Sequence, residues 1–113
     1  MLIYKVIDDA SWQTALAAGH YDGSADDHRD GYVHLSASVQ TSGTLAKHFA
    51  GRDDLVLAAI EAGLLGAALK WEVSRGGEKF PHLYAPLPTS AVMWWRRLSL
   101  GADGVHILPP EFV

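Results

Sequence analysis

The spacing of hydrophobic and polar residues along the chain predicts strands and helices in alternation through its first half. Residues 2–7 are rich in β-branched and aromatic side chains, which is typical of a strand. Residues 10–18 predict a helix, because apolar positions recur at helical spacing and Gly19 stands where a left-handed C-terminal cap would lie. The continuous apolar run at residues 55–60 predicts a central strand covered on both faces.

Three further elements are predicted from the same pattern. Residues 31–36 resume strand character, and residues 39–50 predict a second helix with an apolar side. Gly43 weakens that helix by about 1 kcal/mol relative to alanine. Residues 92–98 predict a last strand. Together the elements indicate an α+β fold, with a mixed or antiparallel split β-sheet and two short helices.

A hairpin is predicted between residues 69–73 and 80–84, joined by a turn at the sequence Arg-Gly-Gly-Glu. With a four-residue turn, Trp71 lies opposite His82. One face of the hairpin then combines aromatic rings with a histidine, and Glu72 points to the other face. A shift of one residue in the register would exchange His82 for Glu72 on the face of Trp71.

The segment at residues 21–30 has no apolar period and is rich in turn-forming residues. We therefore expect a surface loop, in which Asp26 and Asp27 serve as caps or face solvent. Because the loop directly precedes the strand that carries His34, we expect it to act as a mobile flap over a ligand cleft.

Composition and charge narrow the function classes. A chain of 113 residues predicts one domain, residues 1–113, and the absence of cysteine excludes disulfides and thiolate chemistry. The formal net charge is −4 and Arg96 and Arg97 are the only adjacent bases, so extended nucleic-acid binding is disfavoured. No apolar stretch approaches the ~20 residues of a membrane span. We expect a cytoplasmic protein without a membrane partner.

Histidines are the clearest candidates for chemistry. Alternation places His34 and Ser36 on one face of a predicted strand, and His82 shares its predicted face with Trp71 and Tyr84. Such a face offers stacking surface and hydrogen bonds to a nucleotide, although each histidine could equally belong to a hydrogen-bonded core. The 6 histidines show no i, i+4 pair and no HxH or HExxH motif, so no metal site is predicted.

Four motifs occur together in a distinctive order: residues 21–24, 30–36, 69–72 and 80–84. With them, the chain resembles the bacterial domain of unknown function 952 family over residues 3–92. That family is similar to the ADP-ribosyltransferase superfold, a compact split-sheet domain that binds NAD in a cleft. The strand, helix and apolar strand that begin at residue 33 also resemble the core of the RNA 2′-phosphotransferases, without their arginines or their extra nucleic-acid-binding domain.

The resemblance implies an NAD site. The implied catalytic residues are His34, Glu72 and His82, with Glu72 stabilising positive charge on a ribose whose glycosidic bond loosens. The implied ligand-binding residues are Lys5, Ser36, Trp71, Arg75 and Tyr84, among which Lys5 and Arg75 would contact phosphate.

Three function classes remain at this point. The first is an enzyme that transfers ADP-ribose or cleaves NAD, and the second is a noncatalytic module that binds a nucleotide or other small ligand. The third covers an unrelated hydrolase or an interaction domain, and the interaction domain would present an exposed apolar patch around Met93, Trp94 and Trp95. The sequence does not predict the oligomeric state.

Overall fold

The computed structural model describes residues 1–112. The helices are α1 (Asp9–Ala18), α2 (Ala25–Asp30) and α3 (Thr41–His48). The strands are β1 (Leu2–Asp8), β2 (His20–Tyr21), β3 (Val33–His34), β4 (Ser36–Ala37), β5 (Leu55–Glu61), β6 (Leu69–Val73), β7 (Lys79–Leu83), β8 (Leu87–Pro88), β9 (Val92–Arg97), β10 (Ser99–Leu100) and β11 (His106–Ile107).

The strands form two main sheets, and every strand pair in the described residues is antiparallel. A four-stranded sheet has the order β4-β1-β5-β9, and a three-stranded sheet has the order β3-β7-β6. The short pairs β2–β8 and β10–β11 complete the pairing. The structure therefore confirms an α+β domain built on antiparallel sheets. No helix within residues 1–112 is long and apolar enough to cross a membrane.

Strand β5 is the centre of the core, as its apolar run predicts. Its residues Val56 and Ile60 pack with Trp12 of α1 on one face. Leu57, on the opposite face, packs in a second cluster with Leu45 of α3. The run is continuous because both faces are buried, so no position of the strand needs a polar side chain.

Helix α1 forms where the sequence predicts it. The backbone N–H of Ser11 donates to the Asp8 side chain (3.0 Å), which caps the first turn. Gly19 ends the helix with a φ of 89°, a conformation that glycine adopts without strain.

Helix α3 is shorter than the predicted residues 39–50. A turn of 3₁₀-helix, Ser38–Gln40, comes before it, and the helix ends at His48. The side chain of Gln40 accepts a hydrogen bond from the Ala37 N–H (2.9 Å) and donates to the Lys79 carbonyl oxygen (2.8 Å). The start of the helix is thereby attached to β7.

The prediction of a loop over residues 21–30 is wrong, because residues 25–30 form helix α2. Ser24 and Asp27 form a reciprocal capping box, in which the Asp27 N–H donates to Ser24 Oγ (3.2 Å) and the Ser24 N–H donates to Asp27 Oδ2 (2.9 Å). The helix lacks apolar periodicity because polar contacts hold it in place. The helix places Asp27 and Asp30 beside His34.

The hairpin exists, but its register differs by one residue from the prediction. Lys70 lies opposite His82, and Trp71 lies opposite Pro81. The turn spans three residues, Arg75–Gly77, and the Ser74 N–H closes it on the carbonyl oxygen of Glu78 (2.8 Å). A turn shorter by one residue moves every cross-strand pair by one position, which changes the residues that share a face.

Candidate functional site

A cavity of about 350 Å³, called here the main cavity, opens where α2, α3 and the β6–β7 turn meet over β1, β3 and β7. Five of the candidate site residues line it: Lys5, His34, Ser36, Arg75 and His82. Its wall also contains residues that sequence reasoning did not assign to the site: Asp27, Asp30, Tyr32, Thr44, Lys47 and His48. Trp71, Glu72 and Tyr84 are not part of the wall.

The two candidate histidines come together as predicted. His34 of β3 and His82 of β7 are direct cross-strand partners, and their ring centroids lie 5.8 Å apart. Tyr32 stacks on the ring of His82 with 4.0 Å between centroids. The prediction that both histidines border one cavity is confirmed.

Asp27 is the centre of the polar network on one side of the main cavity. Its carboxylate lies 2.6 Å from Nδ1 of His34 and 3.0 Å from Nζ of Lys5, and it also accepts the backbone N–H of His34 (3.0 Å). Burial opposes its ionisation, but the hydrogen bond to His34 and the charge of Lys5 hold the pKa of Asp27 well below its usual range.

The ring of His34 is held from both sides. Besides Asp27 at Nδ1, the carboxylate of Asp30 lies 2.9 Å from Nε2. Both ring nitrogens of His34 already have a carboxylate neighbour within the protein. The ring orientation is therefore fixed before any ligand enters.

Lys5 was predicted to contact phosphate, but its charge is already paired. The ammonium group is buried and its salt bridge is to Asp27. Burial lowers the pKa of Lys5, and the charge of Asp27 partly offsets that effect. Lys5 therefore stabilises Asp27 at the floor of the cavity rather than offering a free charge.

Glu72, His82 and Tyr84 form a second polar group beside the cavity. Glu72 Oε1 lies 2.9 Å from Nδ1 of His82 and accepts a hydrogen bond from the Tyr84 hydroxyl (2.7 Å). Hydrogen bonds from Tyr84 and His82 lower the pKa of Glu72. The hydrogen bond between Tyr84 and Glu72 also raises the pKa of Tyr84 to about 12. The expectation that Glu72 and His82 point to opposite faces is wrong, because the three-residue turn places both on one face.

Trp71 lies on the face of the hairpin that points away from His82. The shifted register turns it to the face opposite Glu72 and His82, where its side chain is exposed. A stacking role for Trp71 in the same cavity as His34 is therefore wrong.

The strand with the two adjacent tryptophans does not form the apolar patch of an interaction domain. Trp94 packs against Tyr4 and Trp95 packs against Trp12, each with 5.9 Å between ring centroids. Of the three residues predicted for the patch, Met93 alone is largely exposed. A single exposed methionine is ordinary for a protein surface.

No group of three or more histidine, aspartate or glutamate side chains in residues 1–112 is arranged to hold a metal ion. The acidic residues nearest to His34 are engaged with neighbouring bases instead. Asp30 lies 2.9 Å from Nε of Arg29, and Asp27 is paired with Lys5.

We expect the free energy of unfolding to fall as the pH is lowered below about 4. The pKa of Asp27 is lower in the folded protein than in the unfolded chain. Its contribution is therefore present above the unfolded pKa and is lost as the pH falls through the folded pKa. Urea unfolding at pH 7, 4 and 3 measures the effect. The variant Asp27→Asn should lose less stability over this range, and an equal loss would contradict the assignment to Asp27.

Comparison with known proteins identifies relatives of the whole domain. The crystal structure of protein CC0527 from Caulobacter crescentus, a structural genomics target, is 52% identical with a TM-score of 0.91, and the match covers 95% of this chain and 94% of that chain. The solution NMR structure of CC0527 is 54% identical with a TM-score of 0.83, covering 92% and 90%. No curated protein matches the chain.

Residues 6–95 match the family described as "Protein of unknown function (DUF952)". This range includes α2, the paired strands of His34 and His82, and the hairpin that carries Glu72. The chain therefore belongs to the DUF952 family.

Proposed function

We propose that the main cavity binds a nucleotide, with NAD as the ligand implied by the resemblance to the ADP-ribosyltransferase superfold. The observation that carries the proposal is the pairing of His34 with His82, which brings two histidines to one cavity. The cavity volume of about 350 Å³ lies within the range of small-molecule sites.

The wall of the cavity offers the three kinds of contact that a nucleotide requires. Tyr32 provides ring surface for stacking, and Ser36 provides a hydroxyl group for ribose or phosphate oxygens. Arg75 provides a positive charge. These groups lie on different elements that the fold holds together, so the site is largely formed before binding.

Thermal unfolding in the presence of NAD, ADP-ribose and AMP tests the proposal. A ligand present at about 100 times its dissociation constant should stabilise the folded protein by about 2.7 kcal/mol and raise the melting temperature. Adenosine, which lacks phosphate, is the matched control and should have a smaller effect. The absence of stabilisation by all three phosphorylated ligands at millimolar concentration would contradict nucleotide binding.

A second candidate function is cleavage of the ribose–nicotinamide bond of NAD. The observation that favours it is the position of Glu72, whose ionised carboxylate is fixed by Tyr84 and His82 next to the cavity. In such a reaction the bonding electrons leave with neutral nicotinamide, and water or an acceptor hydroxyl adds to the ribose carbon and releases its proton to solvent. A fixed carboxylate would stabilise the positive charge that develops on the ribose.

The alternative to cleavage is a module that binds the nucleotide without reacting. Such a module needs the contacts of His34 and Arg75 but no carboxylate near the ribose. Cleavage therefore requires the carboxylate of Glu72, whereas binding does not. A variant at Glu72 distinguishes the two functions.

A further inference from the structure

Arg75 is held at one end of the main cavity by contacts that do not neutralise its charge. Its guanidinium lies over the ring of Phe80, 4.9 Å from the centroid. Nη2 donates to Thr44 Oγ1 (3.3 Å) and, at a longer distance, to the Gln40 carbonyl oxygen (3.5 Å). Within the described part of the chain these are its hydrogen bonds to protein, and no carboxylate pairs with it. The N–H groups on Nε and Nη1 therefore remain for a ligand.

The acidic residues of the cavity are, in contrast, already paired with bases. Asp27 pairs with Lys5 at 3.0 Å. Arg29 pairs with both Asp26 at 3.1 Å and Asp30 at 2.9 Å. Three carboxylates and two bases leave one negative charge on this side of the cavity, whereas no carboxylate in the described residues is paired with Arg75.

Lys47 and His48 lie near Arg75 at the same end of the main cavity. Lys47 of α3 also lines the cavity. The pKa of His48 is lowered by burial and by the positive charges of Arg75 and Lys47.

Gly43 provides the space that the guanidinium occupies. A Cβ atom at this position would lie 3.2 Å from Nη2 of Arg75, closer than most Cβ contacts. The residue lies inside α3 and does not have a positive φ, so its backbone conformation does not require glycine. Glycine is unfavourable inside a helix. Its missing side chain is explained by the approach of Arg75.

We propose that Arg75, together with the hydroxyl group of Ser36 beside Thr44, forms a subsite for a phosphate or pyrophosphate group. The subsite rests on the proposed function, because it would hold the phosphate end of the nucleotide. The two hydroxyl oxygens lie 2.9 Å apart, and Thr44 also contacts Arg75. The free N–H groups of Arg75 can donate charge-assisted hydrogen bonds to phosphate oxygens. Thr44 Oγ1 donates to the Gln40 carbonyl oxygen (3.1 Å), so Ser36 is the hydroxyl that can turn its proton from Thr44 to a phosphate oxygen. The guanidinium also packs against the ring of Phe80.

Calorimetric titration of the protein with inorganic pyrophosphate tests the subsite. Replacing Arg75 by alanine should weaken binding about tenfold or more, because a charge-assisted hydrogen bond is lost. Arg52→Ala is the matched control, since Arg52 also lies over a phenylalanine, Phe49 at 5.7 Å, but does not line the cavity. Equal weakening in the two variants, or no weakening in Arg75→Ala, would overturn the proposal.

The variant Gly43→Ala tests the same subsite without removing a charge. Alanine is the better helix former, so the variant should fold, and its Cβ should shift the guanidinium by a few tenths of an ångström. Pyrophosphate binding weaker by about threefold or more is expected from the loss of hydrogen-bond geometry. Unchanged affinity in Gly43→Ala together with unchanged affinity in Arg75→Ala would refute the subsite.

The same titrations with NAD separate the two proposals. Binding of pyrophosphate that depends on Arg75, in a protein that does not bind NAD, supports the subsite and contradicts the NAD proposal. Binding of NAD that is equally tight in Arg75→Ala contradicts the subsite and leaves the nucleotide proposal standing.

Discussion

Replacing Asp27 by alanine should lower the free energy of unfolding by about 3–5 kcal/mol, the range for breaking a buried ion pair on one side. The carboxylate is buried, and its loss leaves the buried ammonium of Lys5 without its partner. The substitution also removes half of the capping box of α2 and the hydrogen-bond acceptor of the His34 ring. Urea unfolding of the variant and the parent protein measures the difference.

The control for this prediction is Asp22→Ala. Asp22 is exposed, and its partner His20 is also exposed, so its loss should change stability by no more than about 0.5 kcal/mol. Adding Lys5→Met to Asp27→Ala should recover part of the lost stability, because the unpaired buried charge is removed. A loss of less than about 1 kcal/mol in the free energy of unfolding for Asp27→Ala would contradict the assignment of a buried, stabilising ion pair to Asp27 and Lys5.

The second large effect is expected on cleavage of NAD. The variant Glu72→Gln should reduce the rate of nicotinamide release by about 10²-fold or more while leaving NAD affinity nearly unchanged, because a carboxylate that stabilises developing charge acts mainly in the transition state. The amide can still hydrogen-bond to Tyr84 and His82, so the fold should be retained. Nicotinamide release and NAD binding are measured on the same preparation.

Glu78→Gln is the matched control, since Glu78 is an exposed carboxylate at the end of the same hairpin turn. It should leave the rate unchanged. His34→Ala should instead weaken NAD binding, because it removes a ring from the cavity wall and the group that Asp27 and Asp30 hold in place. A protein that binds NAD but releases no nicotinamide, before and after Glu72→Gln, is a binding module rather than an enzyme.

The core elements are the part of the fold that local sequence signals predict. The apolar run of β5 and the cap residues of α1 each depend on neighbouring positions, and the structure contains both elements. The hairpin is also local, but its register depends on whether the turn has three or four residues. The two glycines, Gly76 and Gly77, both have positive φ and permit the shorter turn.

The polar parts of the site could be predicted less well. Helix α2 has no apolar period, although Ser24 and Asp27 have the spacing of a capping box. The burial of Asp27 depends on Lys5, 22 positions earlier in the chain, and no local pattern indicates that contact. For the same reason the role of Gly43 becomes clear only when Arg75, from another element, lies against it.

The most direct test of nucleotide binding in the main cavity is an NMR titration of the protein with ADP-ribose and NAD. The account predicts that the largest amide shift changes fall in residues 32–36, 40–48 and 72–84, which surround the cavity, and that β9 changes little. No shift changes at millimolar ligand, or changes confined to the smaller cavity of about 160 Å³ near residues 104–108, would contradict it.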